Sequence, residues 1–245
     1  MSFLVRPGCV LGAIIVIAFL VRVVGIGYGL PLWLVGDEAP FVLSSLKMIE
    51  LKTLVPAFYE NEFAVISYFP PYLSYLYLPF FIPLLAIQFF SFGGTTNQFV
   101  WYLLSDLSIF FTVARVISVL LGTATIWLLY RVAHNIFQNK LIAFFSATFL
   151  SLSTLHALLS HWGRDWVAAV FFLVLGIYTI TRPLWSERKR YFTTALAAGI
   201  AFGISAAGVF IPIFMALWIF IHERKKLKEI FFHKTIWISA DIFFA

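Results

Sequence analysis

The sequence predicts an all-α, polytopic helical membrane protein with a long external first loop carrying surface helices. Three observations predict it. Of 245 residues, 62% are hydrophobic and 11% charged, whereas a soluble domain is about half apolar and a quarter charged. Apolar runs of bilayer-spanning length recur along the chain. The basic residues gather in alternate connections, as cytoplasmic loops do. That gathering explains the net charge of +6 with no nucleic acid as partner. One cysteine, Cys9, excludes an internal disulfide and a cysteine-based zinc site.

The first apolar run covers residues 9–30. Arg6 could serve as a signal-peptide n-region, but the run passes Arg22 and continues to Leu34 with no small-x-small cleavage site. It reads as a retained span. Arg22 lies in the outer half, where a guanidinium either snorkels to the interface or meets an anion such as a bound phosphate. Gly25, Gly27 and Gly29 loosen the helix end before Pro31. Their GxGxG spacing, with no preceding strand, is not a dinucleotide fingerprint. The stretch 27–40, GYGLPLWLVGDEAP, then delivers two adjacent carboxylates, Asp37 and Glu38, to the water interface. With 11 acids in the whole chain, this pair is the leading site candidate.

Residues 39–54 form a weakly amphipathic surface helix, with Ala39, Val42, Leu43, Leu46 and Ile49 on one face. Ser44, Lys47, Met48 and Leu51 face away, and Pro56 stops the helix. After the polar segment 59–62, Pro70 and Pro71 between aromatics make a rigid extended corner. Residues 72–92 are long enough to span, but Pro79 and Pro83 favour a helix embedded in the outer leaflet. A link without lysine or arginine follows at 93–106. Residues 109–130 span, with Arg115 near the start, and 131–140 form a short basic loop. Residues 141–159 span again. His161, Trp162, Gly163, Arg164 and Asp165 form a tight polar knot, and 166–180 span once more. Residues 192–221 read as two short helices meeting at a break at 205–208, a device of membrane binding sites. Residues 222–234 are basic. A last apolar run begins near Ile236 and reaches Ala245, so the expectation is the N-terminal part of a longer protein. The whole, 1–245, is a single transmembrane module with 36–108 as its external loop region.

Charge sets the sidedness. With the N-terminus and the loops 131–140, 182–190 and 222–234 in the cytoplasm, that side holds 12 of the 17 basic residues. The outer side keeps seven of the 11 acids: Asp37, Glu38, Glu50, Glu60, Glu62, Asp106 and Asp165. By this rule the protein is a multi-pass protein of the cytoplasmic membrane. Asp37, Arg115, the 161–165 knot and the 205–208 break then share the outward face.

Five pieces, in this order, carry a resemblance: VRVVGIGYGLPLWLVGDEA at 21–39, YFPPYLSYLYLP at 68–79, ARVISVLLGTATIWLLYRVAHNIF at 114–137, LSLSTLHALLSHWGRDWVAAVFF at 150–172 and AAGIAFGISAAGVFIPI at 197–213. Together they resemble the GT-C class of membrane glycosyltransferases, in particular relatives of the protein O-mannosyltransferase and lipid A aminoarabinose transferase families. The resemblance implies transfer of a sugar from a polyprenyl-phosphate carrier to an acceptor hydroxyl on the extracytoplasmic side, usually with inversion. The acceptor class is lipid, glycan or protein. Complete members have further spans and often a lysine or another polar residue in the broken helix pair, where this chain has Ala206, Ala207 and Gly208.

Inverting transfer needs one carboxylate as base, opposite the leaving group. Asp37 is the candidate, with Glu38 orienting the acceptor or a metal. Both acids also suit a helix N-terminus. The leaving phosphate wants cations. Arg115 is the first choice, since a guanidinium matches phosphate oxygens in a bidentate way, and Arg164 the second. Each would otherwise pair with Asp165 or Asp106. Asp165 positions the acceptor or holds an arginine, and His161 adds a hydrogen bond. His156 and His161 lack the zinc-pair spacing. Asp37, Glu38 and Asp165 would suffice for a divalent cation, Mg2+ or Mn2+. The rival classes are a transporter or flippase for a lipid-linked substrate, favoured by broken helices, and an inactive truncated relative.

Overall fold

The computed structural model describes residues 7–32, 34, 36–63 and 70–222. The described residues are helices and turns, with no strand among them. Arg6, Tyr68, Phe69, the basic stretch from 223 and the last apolar run lie outside them.

Helix α1 (Pro7–Val23) ends well short of the expected residue 30. Gly25 and Gly29 take φ of 84° and 79°, values that suit glycine alone. From there the chain advances by turns, Tyr28 N–H donating to Gly25 O and Leu30 N–H to Gly27 O. An unwound helix end leaves carbonyls without intrahelical partners. Here those of Val24, Ile26 and Tyr28 become acceptors for side chains that arrive later in the sequence.

Gly36–Glu38 form one 3-10 turn that leads into α2 (Ala39–Leu51). This helix stops three residues before the expected 54, at Lys52, whose φ of 52° is left-handed. Phe41, Val42, Ser44, Ser45 and Met48 are buried, so of the expected face Val42 is fully buried while Ala39, Leu43, Leu46 and Ile49 are half-buried against the core. Two serines shift that burial. Ser45 Oγ donates to Phe41 O and Ser74 O, and Ser74 Oγ donates to Phe41 O. Their hydroxyls are satisfied by carbonyls, so they can be buried against a neighbour.

A four-residue helix, α3 (Glu60–Phe63), precedes α4 (Tyr72–Phe92). Pro79 and Pro83 lie inside α4 and do not divide it. Its 21 residues rise about 31 Å, enough for a bilayer core of about 30 Å. The prolines thus leave the helix unbroken and at spanning length, where the sequence favoured one embedded in the outer leaflet. Helix α5 (Thr96–Ser105) starts with a capping box, Thr95 accepting from Gln98 N–H and Gln98 Oε1 accepting from Thr95 N–H.

Helix α6 (Ser108–Phe137) is the axis of the bundle. It continues through the residues expected as a basic loop and stops at Gln138, whose φ is 51°. The true connection is Gln138 and Asn139, whose side chain caps the next helix. The expected span 141–159 is two helices, α7 (Lys140–Leu152) and α8 (Thr154–Ser160), bent by 60°. Ser153 makes the bend, its hydroxyl capping His156 N–H. Helix α9 (Asp165–Ile180) follows the polar knot, and α10 (Glu187–Ile204) returns beside it. The chain breaks at Ser205, in extended conformation, before a 3-10 turn at Ala206–Val209 and α11 (Phe210–His222). A Cβ on Gly208 would come within 2.1 Å of Phe202 N, so the break needs glycine there.

Helices α4 and α6 are long and apolar enough to cross a membrane, and the bent α7–α8 pair counts as a third. The chain is thus an all-α polytopic membrane protein. Its main core joins α2, α4, α6, α9 and the end of α10 through Phe41, Tyr77, Phe81, Phe110, Ala168 and Ile204. Phe81 meets Phe110 edge-on at 5.1 Å between centroids. This core lies beneath the turn that carries Asp37 and Glu38.

Candidate functional site

The two adjacent carboxylates have opposite fates. Glu38 is 1% exposed, while the side chain of Asp37 is 63% exposed. Successive residues on a tight turn point apart, and here one points into the core.

Glu38 meets Arg115, which is also 1% exposed. Arg115 Nε donates to both carboxylate oxygens at 2.9 and 3.2 Å, and Nη2 donates to Oε2 at 2.6 Å. Nη1 donates to Ile26 O at 2.7 Å and Tyr28 O at 2.8 Å. The glycine-rich unwinding after α1 supplies those carbonyls. Glu38 Oε1 also accepts from Gly163 N–H at 2.6 Å. A buried ion pair persists only when further hydrogen bonds complete both partners, and this one is completed from the end of α1, the 36–38 turn, α6 and the 161–164 knot. Gly163 is required by space as well. A Cβ there would lie 2.8 Å from Ala114 Cβ.

Asp37 has one described partner, Arg164 Nη1, in a short contact. Arg164 Nε donates to Asp165 Oδ1 at 3.4 Å, and its guanidinium stacks on the Trp166 ring at 3.7 Å. Its Nη2 has no partner among the described residues. Asp165 is 5% exposed and opens α9, where the helix dipole favours an anion. Arg164 thereby ties Asp37 to Asp165, and the two acids share one end of the bundle.

His161 bridges two elements. Nδ1 is 2.8 Å from Ala157 O and Nε2 is 2.7 Å from Val24 O. Carbonyls only accept, so a neutral ring satisfies one of these contacts and a doubly protonated ring both. A cavity of about 270 Å³ opens here, lined by Gly25, Tyr28, Arg115, His161 and Trp162 among others. Asp37 does not line it.

Arg22 neither snorkels nor faces an open anion site. It is 0% exposed, with Nη1 on Ala18 O, and Nη2 on Leu150 O and His156 Nδ1. Leu150 O lies at the α7–α8 bend, so Arg22 acts as an internal cap for a broken helix. Asp106 is not an arginine partner either. It is exposed and accepts from Ser108 N–H at 2.8 Å. Away from the site, Lys47 bonds Glu62 and Glu50, which raise its pKa. Among the described residues, no three of histidine, cysteine, aspartate and glutamate form a metal-binding group. Asp37, Glu38 and Asp165 face arginines instead.

The structure thus gathers Asp37, Glu38, Arg115, His161, Arg164 and Asp165 at one end and assigns Arg22 to the bend. Sequence reasoning missed three contributors. One is the Gly163 N–H. Another is the set of freed carbonyls after α1, which the glycine trio signals. The third is Tyr77, fully buried on α4 within electrostatic reach of Glu38 and Asp165. An aromatic run around Tyr77 gave no signal for it.

Residues 98–245 match the family model described as dolichyl-phosphate-mannose-protein mannosyltransferase. No curated protein and no solved structure matches the chain.

Proposed function

The chain belongs to the dolichyl-phosphate-mannose-protein mannosyltransferase family, and from that premise we propose that it is an integral-membrane glycosyltransferase. It moves a sugar from a polyprenyl-phosphate carrier to an acceptor hydroxyl on the extracytoplasmic side, with inversion. One observation carries the assignment of roles: of two adjacent carboxylates, only Asp37 is accessible, and an arginine holds it in place.

Asp37 is the base. It takes the proton of the acceptor hydroxyl as that oxygen bonds the anomeric carbon. The bond from carbon to phosphate oxygen breaks on the opposite face, and the carrier phosphate leaves with the electron pair. Arg164 is the cation for that phosphate, through the Nη2 that no described residue occupies. Arg115 is reassigned. Its bonds to Glu38, Ile26 and Tyr28 make it the strut of the site rather than its phosphate ligand. Glu38 likewise fixes the turn that presents Asp37. Asp165 orients Arg164, and His161 holds the end of α1 against α8. A divalent cation has no assigned place in this scheme.

The orientation follows from charge. The carboxylate end faces outward and the basic residues face the cytoplasm, a reading that the distribution of lysine and arginine along the sequence supports. The test is Asp37→Asn in proteoliposomes supplied with a polyprenyl-phosphate sugar. Transfer falls by roughly 10²–10⁴-fold, while insertion and protease accessibility stay as in the parent. Unchanged transfer removes Asp37 as the base.

A further inference from the structure

The opposite end of the bundle carries a second charged assembly, outside the transfer site. Arg131 on α6 sits over Trp127, 5.8 Å from its centroid. Trp127 packs on Tyr178 of α9 at 6.1 Å. Arg182 lies 5.1 Å from the Tyr178 ring and 4.9 Å from Trp185, and Lys189 Nζ lies 4.3 Å from Trp185. These six residues form one continuous ladder in which cations and aromatic rings share contacts across α6, α9 and the start of α10. Asn135 Nδ2, 3.5 Å from Thr181 Oγ1, ties the two helix ends beneath it.

No ion pair among the described residues involves Arg131, Arg182 or Lys189. The rings engage the guanidinium faces. A guanidinium held by its face still presents N–H donors along its edge. The Nε atoms of Arg131 and Arg182 are buried without a hydrogen-bond partner. Arg182 uses Nη1 on the Tyr178 hydroxyl and nothing else described. Beyond those buried Nε atoms, both Nη atoms of Arg131 and Nη2 of Arg182 have no described partner, and such donors suit phosphate oxygens.

The surroundings decide which phosphate. Leu184, in the same loop, is 91% exposed, and Leu141 and Phe137 at the neighbouring helix ends are 67% and 58% exposed. In a bilayer that rim lies among acyl chains, so the anions beside the ladder are lipid headgroups. A lipid would cover it with acyl chain while its headgroup met the cations, at the level where tryptophan and tyrosine gather in membranes. We propose that the Arg131–Arg182–Lys189 ladder binds the phosphate headgroup of an anionic glycerophospholipid. In the orientation argued above, this lipid belongs to the cytoplasmic leaflet.

The full chain, purified in neutral detergent, is titrated with phosphatidylglycerol or phosphatidylcholine, and bound lipid is counted by native mass spectrometry. Phosphatidylglycerol binds the parent in preference to phosphatidylcholine. The R131Q/R182Q variant loses roughly twentyfold in that affinity, and millimolar inorganic phosphate does not displace the lipid. A single R182Q variant, checked for parental helix content, covers the case in which the double variant fails to fold, and it shows a smaller loss in the same direction. Equal binding of the two lipids overturns the proposal. So does parental affinity in the folded variants. Displacement by inorganic phosphate reassigns the ladder to a soluble anion and overturns the lipid assignment. None of these outcomes depends on sugar transfer, so failure here leaves the transferase reading intact.

Discussion

Arginine is handled differently at the two ends of this bundle. At one end, Arg115 and Arg164 are answered by carboxylates and backbone carbonyls, with the Trp166 ring under Arg164 besides. At the other, Arg131 and Arg182 are answered by aromatic faces. The carboxylate end is therefore tied to defined acceptors, with all three side-chain nitrogens of Arg115 bonded, Nη2 of Arg164 left over and one acid exposed. At the aromatic end no described carboxylate pairs with Arg131, Arg182 or Lys189, and their donors beyond Arg182 Nη1 stay open. A fixed network positions a base, whereas open donors receive an anion from outside.

The comparison can be broken at several points, in decreasing order of effect. The largest is Asp37→Asn, whose loss of transfer is measured against Lys47→Ala, a surface change that keeps the parental rate. If both variants keep it, the carboxylate end is a structural network only. Next is Glu38→Ala, which leaves the buried Arg115 charge uncompensated and costs about 3–5 kcal/mol in unfolding experiments in mixed micelles. Replacing Glu38 and Arg115 together with apolar residues recovers most of that stability but not transfer, because the turn that presents Asp37 is no longer held. Gly163→Ala comes third. Its methyl group meets Ala114 and displaces the N–H that Glu38 accepts, for about 1–3 kcal/mol.

Arg131→Gln gives the counterpart at the other end. It removes one cation–π contact worth about 0.5–1 kcal/mol, several-fold less than Glu38→Ala in the same assay. A cost equal to that of Glu38→Ala would show the two ends to be built alike. Lys47→Ala is the smallest. Its pairs with Glu50 and Glu62 are solvent-exposed, so its loss stays within about 1 kcal/mol and shrinks with salt.

Much of the architecture was legible. The apolar runs at 72–92, 109–130 and 166–180, the knot at 161–165 and the break at 205–208 stand where the sequence puts them, since hydropathy and glycine act locally. The errors were local as well. Helix ends at Val23, Leu51 and Phe137 depended on left-handed residues, two of which, Lys52 and Gln138, are not glycines. The buried face of α2 turned on serines whose hydroxyls found carbonyls on their own helix and on α4. Within the site, the residues singled out from the sequence lie together except Arg22, while their pairing was not legible. Arg115, first choice for phosphate, is the strut, and Arg164 has the open donor.

The sequence by itself determined that acids collect at one end of a membrane bundle, because the count and position of charges in a scarce background need no coordinates. Only the tertiary structure decided which of two neighbouring acids is exposed. Glu38 is buried by an arginine 77 residues away and an N–H 125 residues away. Partners that remote meet only when helices pack, and that meeting leaves Asp37 at the surface.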